Sequence, residues 1–141
     1  MPKQSAVKLI KKYHSNDPFY IAECLGVQVL YESLGGIYGY YNYYKRIKMI
    51  HINESLDEKM QRFTCAHELG HALLHHDVNT TFLKKNTFFS TSKIEREANT
   101  FAVELLMPDE YLYELRDTNL SIYEAAKMYG VPKEVCRLKE I

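Results

Sequence analysis

The sequence predicts an α+β fold in which a small antiparallel sheet packs on two core helices. Segments with strand-like alternation lie between Val27 and Ile52, and apolar residues then recur at steps of three and four in two later segments, Leu56–Leu74 and Ile94–Leu105. A chain of 141 residues with 46% apolar and 26% charged residues is typical of one compact domain. We therefore expect residues 1–141 to form a single domain.

The first third of the chain predicts two helices and the sheet. Ser5–Tyr13 has helical apolar spacing, and Asn16-Asp17-Pro18 offers an N-cap and a first-turn proline for a second helix that stops at Gly26. Three β-rich segments follow and predict an antiparallel meander with a turn near Lys45. These segments are Val27–Tyr31, Ile37–Tyr44 and Arg46–Ile52.

Helices dominate the remainder of the predicted fold. Ser55 and Glu58 have the spacing of a capping box at the start of the long helix, and a polar stretch, Asp77–Ser92, separates it from a helix that runs from Lys93 to Pro108. Residues 120–141 predict a short helical pair that resembles a helix-turn-helix. Ser121 and Glu124 cap its first helix, which stops at Gly130, and Pro132 opens the second.

Composition excludes several classes of function. The chain has 18 basic and 18 acidic residues, so it lacks the net charge that attracts nucleic acid or acidic membranes. Cys24, Cys65 and Cys136 are widely spaced and form no C-x-x-C pair, which argues against a disulfide framework. Neither a signal peptide nor a membrane-spanning run is apparent. We expect a cytoplasmic protein with no membrane association.

Residues 67–71, His-Glu-Leu-Gly-His, form the pattern H-E-x-x-H on the long helix. Residues four apart share one helix face, so His67 and His71 can reach one cation, while Glu68 points aside, toward a water molecule. Burying this trio without a cation would leave costly unpaired polar groups. We expect one Zn²⁺ ion on His67 and His71, with Glu68 as catalytic acid and base. The alternative is two core histidines bound to backbone carbonyls.

A catalytic zinc site takes three protein ligands, so a third is needed from elsewhere. His75 and His76 lie two turns further along the same helix. His75 is about 12 Å from His67 along the helix axis, which is too far for both residues to hold one ion. In the next helix Glu95 falls on the apolar side, whereas Glu97 and Glu104 project to the polar side.

We therefore expect Glu95 to be the third ligand. Asn99, one turn later, is expected to accept the free ring N–H of a ligating histidine. The alternative for Glu95 is a capping box with Ser92. A His, His and Glu set also tolerates manganese or iron.

Arg62–His76, RFTCAHELGHALLHH, and Ile94–Pro108, IEREANTFAVELLMP, resemble the ImmA/IrrE family of metallopeptidases. Ile21–Val27 and Ile50–Asn53 are similar too, so the resemblance covers nearly the whole chain. It implies a zincin-like fold and a glutamate ligand within an E-x-x-A-[ND] element, which here is Glu95, Ala98 and Asn99. Family members on mobile elements cleave a helix-turn-helix repressor, which implies a regulatory zinc endopeptidase with a protein substrate.

The sequence does not assign the oxyanion donor or the substrate-binding strand. A tyrosine-rich strand more often serves packing, but the edge of this one would also suit an extended peptide that adds by main-chain pairing. The candidate donors are Tyr38, Tyr40, Tyr41, Tyr43, Tyr44 and His51.

Two rival interpretations remain open. In one, the chain is a non-enzymatic, metal-containing regulator that binds a repressor or DNA through its C-terminal helices. The near balance of acidic and basic residues there argues against direct DNA binding. In the other, the peptidase is latent until a partner engages it.

Overall fold

The computed structural model describes residues 1–79 and 82–140, and its α+β architecture confirms the predicted class. The described residues contain three strands, six α-helices and two short 3-10 turns, at Lys85–Phe89 and Cys136–Leu138. In chain order the main elements are α1 (Pro2–Tyr13), α2 (Pro18–Cys24), β1 (Gln28–Glu32), β2 (Gly39–Tyr44), β3 (Ile47–Asn53), α3 (Glu58–Leu74), α4 (Lys93–Leu106), α5 (Asp109–Glu114) and α6 (Ile122–Met128).

The sheet is mixed, with strand order β1-β3-β2. β2 and β3 form the expected antiparallel hairpin, which turns at Lys45 and Arg46 with positive φ values of 49° and 67°. β1, however, pairs parallel with β3. The predicted antiparallel meander is therefore wrong for β1.

β1 pairs parallel with β3 because the connection between β1 and β2 crosses over the end of β3. Asn53, the last residue of β3, donates its side-chain amide to the carbonyl oxygens of Gly35 and Ile37, at 2.9 Å each. Its backbone N–H also donates to Tyr38 O at 2.8 Å. One buried asparagine thus holds the crossing, and the alternation within β1 carries no information about it.

The start of α3 differs from the prediction. Its N-cap is Asp57, whose side chain accepts from the Met60 N–H at 2.8 Å. The expected capping box of Ser55 and Glu58 is wrong, because the Ser55 hydroxyl donates instead to Asn53 Oδ1 at 2.8 Å. The helix therefore begins at Glu58.

Helices α3 and α4 approach closely where Gly70 lies against α4. A Cβ at Gly70 would lie 3.1 Å from Phe101 Cδ1 and 3.3 Å from Ala98 Cα. Phe63 and Leu69 of α3, Phe101 of α4 and the sheet residue Ile50 are fully buried around this contact. The close crossing brings the first turn of α4 beside the H-E-x-x-H segment.

Glu104 was expected on the polar side of α4, and this prediction is wrong because the residue is 2% exposed. Lys139 Nζ lies 2.6 Å from Glu104 Oε1, and the Glu140 N–H donates to Glu104 Oε2 at 2.8 Å. A buried carboxylate needs such partners. They come from the C-terminal segment, which the periodicity of α4 does not reveal.

The C-terminal pair is shorter than expected. Ser121 and Glu124 form the predicted capping box of α6. After Pro132, however, the chain forms a turn and the 3-10 turn Cys136–Leu138 rather than a second α-helix, since Lys139 and Glu140 must reach Glu104. Ile141, the last residue of the predicted pair, lies outside the described residues. Among the described helices, none has the length and apolar character needed to cross a membrane.

Candidate metal centre

His67 and His71 lie one turn apart on the face of α3 that meets α4. The Nε2 atom of each lies 3.1 Å from Oε1 of Glu95, in the first turn of α4. One ligand atom from each of the three residues lies within 4.8 Å of the other two. All three side chains are buried, with exposures of 1% for His67, 0% for His71 and 4% for Glu95. The structure therefore brings together the three residues predicted to hold a metal.

Glu95 faces the two histidines and does not cap its own helix. Ser92 is the N-cap residue of α4, but its side chain makes no capping hydrogen bond. Burial alone would raise the pKa of the Glu95 carboxyl, yet hydrogen bonds and charge from His67 and His71 hold it well below its usual value. The capping-box alternative for Glu95 is therefore wrong.

Glu68 is fully buried beside this cluster, and neither of its carboxylate oxygens has a hydrogen-bond partner among the described residues. Burial raises the pKa of the Glu68 carboxyl to about 8, against a lowering effect of His71 and with a further rise from Glu95. Thr64 Oγ1, one turn earlier on α3, is likewise buried and unpartnered. Buried polar atoms of this kind normally have a partner, so these oxygens mark a place for polar groups that the described residues do not supply.

The donor set fits a first-row divalent cation. Two imidazole nitrogens and one carboxylate oxygen are the ligands that zinc, manganese and iron sites use. A cation at this point would replace the protons that the two Nε2 atoms otherwise share with Glu95. The residues present therefore suit the metal that the H-E-x-x-H pattern predicts.

Asn99 holds the ring of His67 from α4. Its Oδ1 lies 2.8 Å from His67 Nδ1, and its amide donates to Thr87 O at 3.2 Å. Because the amide nitrogen is engaged with a carbonyl, Oδ1 is the atom left to accept the Nδ1–H of His67. The contact expected for Asn99 is present, and the Nε2 lone pair of His67 is left for a metal.

Two residues near the centre, His75 and Glu97, were not predicted to take part in it. His75 Nδ1 lies 3.1 Å from His71 Nδ1, and His75 Nε2 lies 2.8 Å from Oε1 of Glu97. His75 follows His71 by four residues and so shares its helix face, a signal that we had used only to exclude His75 as a ligand. Glu97, expected on the polar side of α4, is partly buried against His75.

Part of the segment 82–91 lies beside the centre. Glu95 lines a cavity of about 380 Å³ together with Asn86, Thr87, Phe89, Ser90 and Thr91. Thr87 O also accepts from Asn99, beside His67. This part of the predicted polar stretch Asp77–Ser92 includes the buried residues Leu83 and Phe88, while Thr80 and Thr81 lie outside the described residues.

The outer edge of β2, predicted to receive a substrate strand, is occupied at Gly39 by the chain itself. Leu83 N donates to Gly39 O, and Tyr38 N donates to Leu83 O, both at 2.8 Å. A Cβ at Gly39 would overlap the His51 carbonyl oxygen and lie 2.6 Å from Thr64 Cγ2. Gly39 therefore lets the edge strand lie directly against α3.

Several candidate oxyanion donors have other partners. Tyr41 donates its hydroxyl to His76 O at 2.6 Å. His51 bonds to Glu32 and to Asn42, and Tyr40 stacks on it with ring centroids 4.1 Å apart. The Tyr38 ring contacts Phe88, which contacts Phe63, next to His67. The identity of the donor stays a prediction.

Cavities of about 570 and 590 Å³ lie away from this centre. One is lined by residues of α3, α5 and α6, including Arg62 and Tyr129, and the other by residues of α1 and by Pro108 and its neighbours. Among the described residues, the group whose ligand atoms lie close enough to hold one ion is His67, His71 and Glu95, which line neither cavity. Chemistry therefore identifies the buried His-His-Glu centre as the candidate site.

Comparison with known proteins agrees with this choice. Residues 22–139 match the family model Peptidase_M78, described as IrrE N-terminal-like domain. The chain is 44% identical over 140 residues to the "Uncharacterized immunity region protein 2" of Bacillus phage phi105, an alignment that covers 99% of this chain and 89% of that protein. It is 33% identical over 141 residues to "Metallopeptidase ImmA" of Bacillus subtilis (strain 168), covering 97% of this chain and 82% of that protein.

Proposed function

The chain belongs to the ImmA/IrrE family of metallopeptidases, and on that premise we propose that it is a zinc-dependent endopeptidase that cleaves a regulatory protein. The observation that carries the proposal is the buried centre itself. His67, His71 and Glu95 offer ligand atoms within 4.8 Å of one another, and the carboxylate of Glu68 lies beside them with no hydrogen-bond partner in the described part of the chain.

In this proposal His67, His71 and Glu95 hold one zinc ion. When bound, the ion supplies Lewis acidity toward a peptide carbonyl oxygen and toward water. Asn99 keeps His67 in the tautomer whose Nε2 lone pair faces the ion. Glu95 supplies the negative charge that partly neutralises a divalent cation.

Glu68 is the proposed acid and base. As water attacks the peptide carbonyl carbon, the Glu68 carboxylate accepts a proton from the water, and it then delivers that proton to the leaving amine as the C–N bond breaks. Its pKa of about 8 in the metal-free chain reflects a dry environment. Because no described residue hydrogen-bonds to Glu68, both of its carboxylate oxygens are available for this transfer.

Access to the centre requires movement of residues 82–91 in this proposal. Glu68 and His71 have no exposed surface, and Leu83 occupies the β2 edge at Gly39. An extended substrate that pairs with this edge would have to displace Leu83. This arrangement supports the interpretation that the peptidase is latent until a partner or substrate engages it.

The proposed substrate is a helix-turn-helix repressor, as the family resemblance implies. The name of the phage relative refers to an immunity region, which is consistent with a regulatory target. We further propose a cytoplasmic location, because all three cysteines are free and thiols persist in reducing compartments. We also propose that one domain carries all these roles, since Lys3 of α1 contacts Glu140 O at the other end of the chain.

The test combines metal analysis with cleavage. Wild type, Glu68→Gln and Glu95→Ala are dialysed against zinc, analysed for metal, and incubated with candidate helix-turn-helix repressors, with fragments followed by mass spectrometry. We expect one zinc per chain in wild type and Glu68→Gln, weakened zinc binding in Glu95→Ala, and cleavage by wild type alone. Glu110→Ala, which removes an exposed carboxylate, is the matched control and should behave as wild type.

Three results would contradict the proposal at different points. Wild type without metal would exclude a metallopeptidase mechanism for this chain. Full zinc content in Glu95→Ala would move the third ligand elsewhere. Cleavage by Glu68→Gln at the wild-type rate would exclude Glu68 as the acid and base.

A further inference from the structure

A chain of three side chains leads from the metal centre toward the protein surface. His71 Nε2 faces Glu95, and its other ring nitrogen, Nδ1, lies 3.1 Å from His75 Nδ1. His75 Nε2 then lies 2.8 Å from Oε1 of Glu97, on α4. The His75 side chain is 9% exposed and that of Glu97 is 31% exposed. Neither His75 nor Glu97 had a role in the predicted site.

The partners of these nitrogens decide which atoms carry protons. A carboxylate only accepts hydrogen bonds, so the nitrogen of His75 that faces Glu97 must carry its proton. A neutral His75 then has a lone pair on Nδ1, and this lone pair can accept only from a protonated Nδ1 of His71. When a cation replaces the proton that His71 Nε2 shares with Glu95, His71 keeps its Nδ1–H and turns the Nε2 lone pair to the cation.

We propose that His75 and Glu97 are positioning residues that hold His71 in the Nδ1–H tautomer and so direct its Nε2 lone pair to the metal. This inference rests on the proposed metal site. Glu97 fixes the tautomer of His75, and His75 fixes the tautomer and ring orientation of His71. Asn99 does the same for His67, so each ligating histidine has its own acceptor.

The two acceptors come from different places in the fold. Asn99 reaches His67 from α4, whereas His75 is the residue that ends α3, and its backbone N–H donates to His71 O at 2.8 Å. The helical spacing of four residues therefore stacks His75 on His71, with ring centroids 5.2 Å apart. Glu97 joins this end of α3 to α4.

A purely structural role is the competing explanation. In that case the hydrogen bond between His75 and Glu97 would only clamp α3 to α4, and the contact with His71 would have no consequence. The two explanations differ in what they require of residue 75. A clamp needs a side chain that reaches Glu97, whereas a positioning residue needs an acceptor at the place of His75 Nδ1.

The test therefore compares His75→Ala with His75→Asn. In asparagine the amide oxygen is bonded to Cγ, as Nδ1 is in histidine, so it can stand in for Nδ1. The asparagine side chain is too short to reach Glu97. His76→Ala is the matched control, because His76 is the next residue and packs on Tyr43 instead. Glu97→Gln tests the outer carboxylate. The readout is the zinc dissociation constant of the purified full chain, measured by competition with a chromophoric chelator.

We expect His75→Ala to weaken zinc binding by about 10- to 100-fold, the range typical for loss of a group that orients a metal ligand. His75→Asn should restore affinity to within about threefold of wild type, His76→Ala should leave it unchanged, and Glu97→Gln should lie between wild type and His75→Ala. Cobalt(II) substitution adds a spectroscopic signature, because a misoriented His71 would alter the visible absorption bands in His75→Ala but not in His75→Asn.

Each other outcome overturns a stated part of this reasoning. If His75→Ala binds zinc as His76→Ala does, the inference is wrong and the proposed metal site stands. Equal weakening in His75→Ala and His75→Asn would assign His75 a clamping role. An unchanged Glu97→Gln would remove Glu97 from the pair. Wild type that binds no zinc would overturn the proposed function itself.

Discussion

Replacing Glu68 with glutamine is expected to stabilise the metal-free protein at neutral pH, although the same change should abolish cleavage. Glu68 is fully buried and its carboxylate oxygens have no partner among the described residues. Ionising such a group in the folded chain is unfavourable because it is buried and no donor among the described residues compensates the charge. Glutamine has nearly the same shape and removes the charge.

The magnitude follows from the shift of the pKa of Glu68 from its ordinary value of 4.5 to about 8. Below the ordinary value both states bind the proton and the carboxyl has no pH-dependent effect. Between the two values the folded chain retains a proton that the unfolded chain has released, so stability falls as pH rises and levels off above pH 8. At pH 7 the loss amounts to about 3 kcal/mol.

The assay is urea unfolding of chelator-treated wild type and Glu68→Gln at pH 4.5 and pH 7. The difference between the two proteins in free energy of unfolding should grow by about 3 kcal/mol in favour of the variant between these pH values. Taking this difference cancels the contributions of other groups that both proteins share. Glu110→Gln, at an exposed position, should show no such growth.

A difference between wild type and Glu68→Gln that does not change with pH would refute the reasoning. It would mean that the carboxylate of Glu68 is solvated or hydrogen-bonded in solution. The expected result would instead identify Glu68 as a group retained for chemistry at the expense of stability, a common feature of active sites.

Three further predictions concern the framework around the site. Lys139→Met should destabilise the chain by about 3 to 5 kcal/mol in urea unfolding, because it leaves the buried Glu104 carboxylate without its Lys139 partner. A second change, Glu104→Met, should recover most of this loss. A loss below about 1 kcal/mol for Lys139→Met alone would contradict the prediction. Gly70→Ala should destabilise by about 1 to 3 kcal/mol despite alanine's helix propensity, since its Cβ would press on Phe101, and a gain in thermal midpoint would exclude a tight crossing. Ser121→Ala should lower the free energy of unfolding by about 1 kcal/mol, because it removes the α6 capping box, while zinc content stays unchanged. An unchanged denaturation midpoint would show that the capping box does not stabilise the chain.

Local features of the fold were predictable because they depend on neighbours in the sequence. Interactions within a few residues determine three of them: the capping box of Ser121 and Glu124, the hairpin turn at Lys45 and the extent of α4. His67 and His71 share a face for the same reason, since helical geometry alone places residues four apart one above the other.

Other features were missed because the partner lies far along the chain. Glu104 looked polar by periodicity, yet Lys139 completes a buried ion pair with it. The direction of β1 depends on the crossing that Asn53 holds, not on the residues of β1. Competition also matters, because Ser55 had the spacing of a cap but Asn53 engages its hydroxyl.

At the candidate site, the sequence by itself determined which side chains share a helix face: His67 with His71 on α3, and Glu95 with Asn99 on α4. Only the tertiary structure decided that the two faces meet with Glu95 3.1 Å from both imidazoles, and that Glu68 lies buried beside them with no hydrogen-bond partner among the described residues. The physical reason is that helical periodicity arises from local hydrogen bonds, whereas the distance between helices depends on the side-chain volumes at their crossing, here set by Gly70 against Phe101 and Ala98.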